Sequence, residues 1–433
     1  HWQAERAEVI PVFRPTSQCA SRLTRQLPAV GRLSSQPKNR KYPVRGRETG
    51  LTFRINSIDT NSTYFGNTFT TQQIISDDDP ILNNSTYFFE VIYSEYQTFT
   101  QLADPSISNE SKPSFEEENM RIAIYGTGAV GGYYGARLAQ SGEDVIFIAR
   151  GENLQALQTK GLYLDSILGD VHLPVVNATD NPETVGIVDV IIPCVKTWNI
   201  PEVALMMRPM VGPDTMIVTT QNGVDAGDEF GKVLGKEHVL GGAVRVFAIL
   251  KEPGYVYHGG GSGSFVFGEF NHQRTPRALR LLETLRQAHG IEPELTTDIE
   301  AELWKKEMMI GSFRGIGAIT RSPMGVYRSI PETRAMLTAC MEEIKLVAAA
   351  VGVHLPDDIV DTTMAFGDAQ PVHMTSSLQR DIIAGRKSEM ESLIGTVVRM
   401  GHAAGLEIPF LSAIYAALLP TEMRARGELD FAS

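Results

Sequence analysis

Residues 120–132 read MRIAIYGTGAVGG, a short apolar run followed at once by three spaced glycines. The run ending at Tyr125 has the composition of a buried β-strand. Gly126, Gly128 and Gly131 then match the spacing G-x-G-x-x-G, which permits a tight turn, a close approach of the backbone to a pyrophosphate, and close packing of helix on strand. The stretch predicts a dinucleotide-binding turn rather than a purely structural one. The expected cofactor contacts are Gly126, Thr127, Gly128, Ala129, Val130 and Gly131.

The second predicted strand, residues 145–149, ends in Arg150. An NAD site usually ends this strand with a carboxylate that accepts hydrogen bonds from the ribose hydroxyls. A guanidinium can instead pair with a 2′-phosphate. Arg150 therefore favours NADP as the cofactor, and a solvated surface arginine is the alternative interpretation.

The pattern after residue 120 alternates apolar runs with amphipathic stretches, as parallel βαβ units require. Strands are predicted at residues 121–125, 145–149, 188–193 and 216–220, and antiparallel strands between residues 239 and 268. Helical periodicity dominates after Asp298, at residues 301–312, 332–351, 376–384 and 389–404. We therefore predict an α/β Rossmann-type domain at residues 120–297, an all-α domain at residues 298–433, and a cleft between them.

Residues 1–119 differ in composition from the rest of the chain. The first 54 are rich in Arg and nearly free of acidic residues, and the following 65 are rich in Ser, Thr and Asn without a sustained period. Such segments rarely bury enough apolar surface to offset chain entropy. We expect a disordered or non-native extension, preceding an enzyme that begins at Met120.

The whole chain has 433 residues, a net charge of −12 and three cysteines. The excess of carboxylates argues against a nucleic-acid or anionic-membrane partner. The cysteines are too widely spaced for a disulfide framework or a zinc site, so no metal is expected and a reducing cytoplasm suits them. No apolar run approaches the roughly 20 residues that a membrane span needs.

Two polar segments follow predicted strands at their carboxyl ends, where a Rossmann site uses them. Lys196 comes directly after an apolar strand, and Asn222 and Gly223 come after another. Each has a structural alternative: a solvated lysine, and a turn in which Gly223 supplies a positive φ. The positions favour a role at the cofactor and substrate.

Residues 120–426 resemble the ketopantoate reductase (2-dehydropantoate 2-reductase) family in the order and spacing of six motifs. These motifs are the glycine triplet, VKTW at residues 195–198, QNG at residues 221–223, AELWKK at residues 301–306, SSLQRD at residues 376–381, and AGRKSE at residues 384–389. The resemblance implies that the substrate is a small 2-ketoacid.

The resemblance also implies roles for individual residues. Lys306 would protonate the ketone oxygen as hydride arrives, and Lys196 and Asn222 would contact the nicotinamide end and the substrate. Ser377 would hold the substrate carboxylate, and Glu389 would bind the cofactor ribose and orient Lys306. The chemistry fits these residue types, because hydride delivery builds negative charge on oxygen that an ammonium stabilises and protonates. A solvated Lys306 and a helix-capping Glu389 are the alternatives.

Three positions depart from the family pattern. Family members commonly carry asparagines four and eight positions after the catalytic lysine. A further asparagine usually stands immediately before the position of Gly325. This chain has Ile310, Arg314 and Met324 there. We hypothesise that Arg314 binds a substrate carboxylate and that Ile310 and Met324 favour a more apolar acyl group.

The function implied is NADPH-dependent reduction of a 2-ketoacid, with ketopantoate to pantoate, a step of pantothenate synthesis, as the leading activity. A related 2-ketoacid or 3-hydroxyacid dehydrogenase, or a non-catalytic NADP-binding sensor, are the alternatives, since fold does not fix substrate. Residues 342–351 offer an apolar stripe for a possible homodimer.

Overall fold

The computed structural model describes residues 119–430, and the structural statements below concern that range. The expected disordered or non-native extension at residues 1–119 lies outside the described residues, apart from Asn119.

One sheet of ten strands organises the first part of the described chain. Its order is β4-β3-β9-β8-β7-β6-β1-β2-β5, and β10 pairs with β9 beside this path. From β5 to β8 all neighbours are parallel, whereas β8 and β9 form an antiparallel hairpin. The strands are β1 (Arg121–Tyr125), β2 (Asp144–Ile148), β3 (Leu162–Ser166), β4 (Val171–Leu173), β5 (Asn177–Thr179), β6 (Val190–Pro193), β7 (Met216–Val218), β8 (Val239–Glu252), β9 (Tyr255–Glu269) and β10 (Glu292–Leu295).

Helices cover both faces of this sheet because alternate strand residues point to opposite sides. Ile122 and Ile124 of β1 join the core on the side of α1 and α5, whereas Ala123 and Tyr125 join the core on the side of α3 and α4. The helices of this part are α1 (Ala129–Gln140), α2 (Gly151–Lys160), α3 (Ile200–Met207), α4 (Ala226–Leu234) and α5 (Pro276–Gln287).

From Ile299 onward, the regular secondary structure of the described chain is entirely helical. Asp298 caps the first of them, because its carboxylate accepts a hydrogen bond from the Ala301 amide at 3.0 Å. The helix ends at Arg321, whose φ of 54° is left-handed. The helices are α6 (Ile299–Thr320), α7 (Met324–Ser329), α8 (Pro331–Ala350), α9 (Ile359–Ala369), α10 (Ser377–Ile383), α11 (Thr396–Ala403) and α12 (Pro409–Ala425), with a π-helical turn at Glu391–Gly395 before α11.

Helix α6 is the centre of the helical part. It contacts α8, α10 and α12 and also packs on β8 of the sheet. Buried apolar residues from these helices form a core separate from the two cores on the sheet. Because α6 touches both parts, side chains on its sheet-facing side lie at their junction.

The predicted fold class is confirmed: a Rossmann-type α/β part precedes a helical part. The four predicted parallel strands and the hairpin lie where the sequence predicts them, and the predicted helix at residues 301–312 is longer, Ile299–Thr320. The predictions missed β3, β4, β5 and β10, and among the helices α2, α4, α5, α9 and α12. Residue 297 lies between β10 and α6. Within residues 119–430 the helices lack the combination of length and apolarity that crossing a bilayer needs.

Candidate active site

Three neighbouring parallel strands end at the rim of one cleft. Gly126 follows β1, Lys196 follows the end of β6, and Asn222 lies shortly after β7. The chain runs outward from β1 to β2 on one side and from β6 to β7 on the other, so this rim is the point where the strand order reverses. Ligands of doubly wound sheets bind there. The cleft has a volume of about 930 Å³ and reaches α6 on the other side.

The glycine turn packs against protein atoms at Gly126 and Gly131 but borders free space at Gly128. Gly126 has a φ of 98°, and its amide donates to the Ile148 carbonyl at 2.9 Å. A Cβ on Gly131 would lie 2.4 Å from the Gly126 carbonyl oxygen, whereas a Cβ on Gly128 would meet nothing within 4 Å. Gly131 therefore allows α1 to pack, and Gly128 leaves free space at the start of α1. Asn153 fixes the turn, because its Nδ2 donates to the Thr127 carbonyl at 2.5 Å.

Arg150 lies just beyond β2 and lines the cleft. Its guanidinium is largely exposed, with Nη2 3.6 Å from the Glu202 carboxylate and 3.1 Å from the Met206 sulfur. An exposed ion pair of this kind contributes little stability. The guanidinium is thus available to an anionic group in the cleft.

Glu389 joins the helical part to the sheet rim. Its Oε2 accepts from Lys196 Nζ at 3.0 Å and from Asn222 Nδ2 at 3.4 Å. No hydrogen bond links Glu389 to Lys306 in the described structure, although the charge of Glu389 lies close enough to affect the pKa of Lys306, so the role of Glu389 in orienting Lys306 stays a prediction. The Glu389 carboxylate pairs with the exposed Lys196, whereas the Lys306 ammonium is buried at another part of the cleft wall.

The segment after Glu389 docks on the same rim. Its π-helical turn places Ser392 Oγ 3.0 Å from Thr197 Oγ1. A Cβ on Gly223 would lie 2.8 Å from the Ser392 carbonyl oxygen, so only glycine permits this approach at a φ of 95°. π-Helical turns are frequent at functional sites because they shift a helix's side chains out of register.

Lys306 lies on α6 with only 5% of its surface exposed. Its Nζ has no hydrogen-bond partner in the described chain. Burial, together with the positive charges of Arg314 and Arg245, lowers the pKa of Lys306 to about 7. An ammonium with that pKa can donate a proton near neutral pH.

Two further ionisable residues of α6 lie near Lys306, and the sequence analysis had identified only Arg314. Arg314 lines the cleft, and its shielded Nη1 has no hydrogen-bond partner. Glu307, which the sequence interpretation did not single out, is fully buried, and both of its carboxylate oxygens are unpaired. Burial raises the pKa of Glu307 well above its ordinary value.

The structure brings most of the predicted site residues to one cleft. Gly131 is the exception, since it packs beneath the turn. The predicted residues that line the cleft are Gly126, Thr127, Gly128, Ala129, Val130, Arg150, Lys196, Asn222, Lys306, Ile310, Arg314, Met324, Ser377 and Glu389. Lining residues that the sequence interpretation missed include Asn153, Arg245, Phe366, Met374 and Arg380.

The arrangement has the parts that carbonyl reduction needs. One wall offers a glycine turn and a helix N-terminus, where backbone N–H groups and the helix dipole favour phosphate. The opposite wall offers a buried ammonium that can stabilise and protonate an oxyanion. The guanidinium groups of Arg314 and Arg245 lie close enough to Lys306 to affect its pKa, and both line the cleft, where they could attract an anionic substrate.

Comparisons with known proteins agree with this geometry. Residues 122–272 match the family model described as ketopantoate reductase PanE/ApbA, and residues 298–422 match the model of its C-terminal part. A 2-dehydropantoate 2-reductase of Mesorhizobium japonicum is 30% identical over 318 residues, which span 69% of this chain and 96% of that protein.

Solved structures show the same similarity. A 2-dehydropantoate 2-reductase of Geobacter metallireducens has a TM-score of 0.65 and 32% identity, covering 70% of this chain and 99% of that one. D-mandelate dehydrogenase, solved with NADH and anilino(oxo)acetate, shares the fold at 23% identity and a TM-score of 0.65, covering 71% and 99%. The two matched models and these relatives show that the chain belongs to the ketopantoate reductase family of oxidoreductases.

Proposed function

We propose that the protein reduces a 2-ketoacid to the corresponding 2-hydroxyacid with NADPH, and that ketopantoate, reduced to pantoate for pantothenate synthesis, is the leading substrate. The enclosed Lys306 ammonium, without a partner and facing the same cleft as the glycine turn, carries this proposal. A protein that only binds a dinucleotide has no use for such a proton donor.

The chain's own residues fit the cofactor. The free space above Gly128 accommodates a pyrophosphate at the N-terminus of α1. Arg150 would pair with the 2′-phosphate that distinguishes NADPH from NADH. Lys196 and Asn222 both donate hydrogen bonds to Glu389. These three side chains would together bind the nicotinamide ribose. When bound, NADPH supplies the hydride.

Lys306 and its neighbours perform the remaining chemistry. As the ketone carbon accepts hydride, negative charge develops on its oxygen, and the Lys306 ammonium stabilises that charge and transfers its proton there. The deprotonated lysine then regains a proton from solvent when the cleft opens. Ser377, at the first position of α10, and Arg314 both line the cleft and would hold the substrate carboxylate.

Two alternative functions remain testable. A related 2-ketoacid or 3-hydroxyacid dehydrogenase would use the same residues on another substrate. An NADP-binding sensor would bind the cofactor in the same turn without turnover. The two classes, enzyme and sensor, differ in their need for Lys306: a dehydrogenase needs its proton, whereas a sensor does not.

The deciding experiment is NADPH oxidation by the full chain with ketopantoate, followed by absorbance. We expect turnover that falls by about 10²–10⁴-fold in Lys306→Ala, the usual contribution of general acid catalysis. Arg150→Ala should weaken NADPH more than NADH, whereas Arg208→Ala, an exposed arginine outside the cleft, should change neither. Tight NADPH binding without oxidation on any 2-ketoacid would instead establish the sensor.

A further inference from the structure

The part of the cleft that would face the substrate's acyl group is lined mainly by apolar side chains. The inference drawn from it rests on the proposed function and concerns the substrate class. Its wall is built from side chains of α6, α7 and α9 and from the segment before α10. Ile310, Phe313 and Tyr327 are each at most 4% exposed, so this wall is a packed surface. The apolar lining residues are Ile310, Phe313, Met324, Tyr327, Phe366 and Met374.

Tyr327 adds a ring to this wall and not a free hydroxyl. Its OH donates to the Phe313 carbonyl oxygen at 3.1 Å. Met324 and Ile310 have no group that pairs with a substrate hydroxyl. A hydroxyl placed against this wall would lose its hydrogen bonds to water without replacement, which is unfavourable.

Arg314 provides a buried guanidinium beside this wall, and Gln370, Ser377 and Arg380 also line the cleft. Helical side chains lean toward the helix N-terminus, so its guanidinium points back toward Lys306, eight residues earlier. The two groups are close enough for the charge of Arg314 to lower the pKa of Lys306. Glu307 forms no hydrogen bond with Arg314, because both of its carboxyl oxygens and the Arg314 Nη1 are without partners.

Two neighbouring cationic groups in one cleft suit one class of substrate. In a 2-ketoacid the carboxylate and the ketone are on adjacent carbons, so a carboxylate at Arg314 brings the ketone oxygen toward Lys306. The remaining substituent then faces Ile310, Phe313 and Met324. The carboxylate would supply the charged partner that the Arg314 Nη1 lacks.

We propose that the site selects 2-ketoacids whose carbon-3 substituent is bulky and wholly apolar, with Arg314 binding the carboxylate. The terminal hydroxyl of ketopantoate then contributes nothing to recognition.

The test compares ketopantoate with 3,3-dimethyl-2-oxobutanoate, which differs only in lacking that hydroxyl. A site built to bind a hydroxyl rejects the analogue without it by about 10⁴–10⁵-fold, whereas an apolar pocket rejects an added hydroxyl by about 10²-fold or less. We expect the full chain to reduce the apolar analogue with a kcat/KM equal to that of ketopantoate or up to about 100-fold higher. A preference for ketopantoate above about 10³-fold would overturn the proposal and leave ketoacid reduction standing.

Two variants check the residues named. Ile310→Asn should shift the ratio toward ketopantoate, because an amide supplies a partner for its hydroxyl. Arg314→Gln should raise KM for both substrates by about 10–100-fold, as expected for a lost charged hydrogen bond, and Arg314→Lys should recover part of that loss. An unchanged KM in both Arg314 variants would contradict carboxylate binding there. If the wild-type chain reduces neither substrate, the proposed function itself is wrong.

Discussion

Glu389 Oε2 lies 3.0 Å from Lys196 Nζ, although 193 residues separate them in the chain. Lys196 belongs to the rim of the sheet, and Glu389 belongs to the helical part. Their ion pair is therefore a direct link between the two halves of the cleft, and Asn222 shares the same carboxylate oxygen. We expect a ligand that binds at this position to contact Lys196, Asn222 and Glu389 or to displace the hydrogen bonds between them.

Removing the charge of Glu389 should weaken cofactor binding more than folding. The Lys196 side chain is 48% exposed, and half-exposed ion pairs contribute about 0–1 kcal/mol to stability. In Glu389→Gln we expect an unfolding midpoint close to that of the wild type and about a 10-fold weaker NADPH affinity, measured by nucleotide fluorescence. Glu391→Gln, two residues away and outside the cleft, is the control. Equal losses in both variants would mean that the effect is structural.

The glycine turn separates packing from binding. Gly131→Ala should destabilise the fold by about 1–3 kcal/mol, since its Cβ would overlap the Gly126 carbonyl. Gly128→Ala should leave stability within about 0.5 kcal/mol, because its Cβ meets no protein atom, yet weaken NADPH binding at least about 10-fold. Urea unfolding and cofactor titration measure the two effects. An Ala at position 128 that binds NADPH normally would place the pyrophosphate elsewhere.

The pH dependence of reduction should report Lys306. With a pKa of about 7, its ammonium is present below pH 7 and is lost above it. We therefore expect kcat/KM to be level below about pH 7 and to fall about 10-fold for each pH unit above it. Lys306→Arg, whose guanidinium keeps its proton, should be slower but nearly independent of pH from 7 to 9. A wild-type profile that is level up to pH 9 would exclude Lys306 as the proton donor.

Glu307 should make stability depend on pH in the opposite direction to a paired carboxylate. Its folded-state pKa is raised, so the native chain holds a proton that the unfolded chain releases above the ordinary value of 4.5. Its contribution is present below that pH and is lost as pH rises toward the folded-state pKa. Glu307→Gln should thus gain about 1–3 kcal/mol over wild type at pH 8 but less at pH 5. Glu342→Gln, an exposed site on α8, should show no such trend.

The sequence was sufficient where the signal was local. The strand, glycine triplet and helix start at Met120 to Gly131 are adjacent in the chain, so period and turn chemistry define them together. The strands β3 and β4 gave no comparable signal, because β3 is held by a partner in β9 about 90 residues away. Short strands of this kind depend on pairing that a local pattern does not contain.

The site shows the same limit. Lys306 was recognisable through its motif, but its lack of a partner and the pairing of Glu389 with Lys196 depend on distances across the cleft. Arg245 lies in a strand whose outer half is exposed, and no sequence feature marks it as a neighbour of Lys306. Glu307 follows the motif directly, and no sequence feature indicated that it is buried.

Helix α6 has an evolutionary consequence. It carries Lys306, the proposed proton donor, and, one and two turns further on, Ile310 and Arg314, which also line the cleft, while the glycine turn follows a strand of the sheet. By these proposals, mutations at position 310 can exchange one acyl preference for another while Lys306 and the glycine turn are retained, whereas mutations at position 314 would also change the pKa of Lys306. A lineage built on this helix can diversify its substrates by point mutation on a single inherited scaffold.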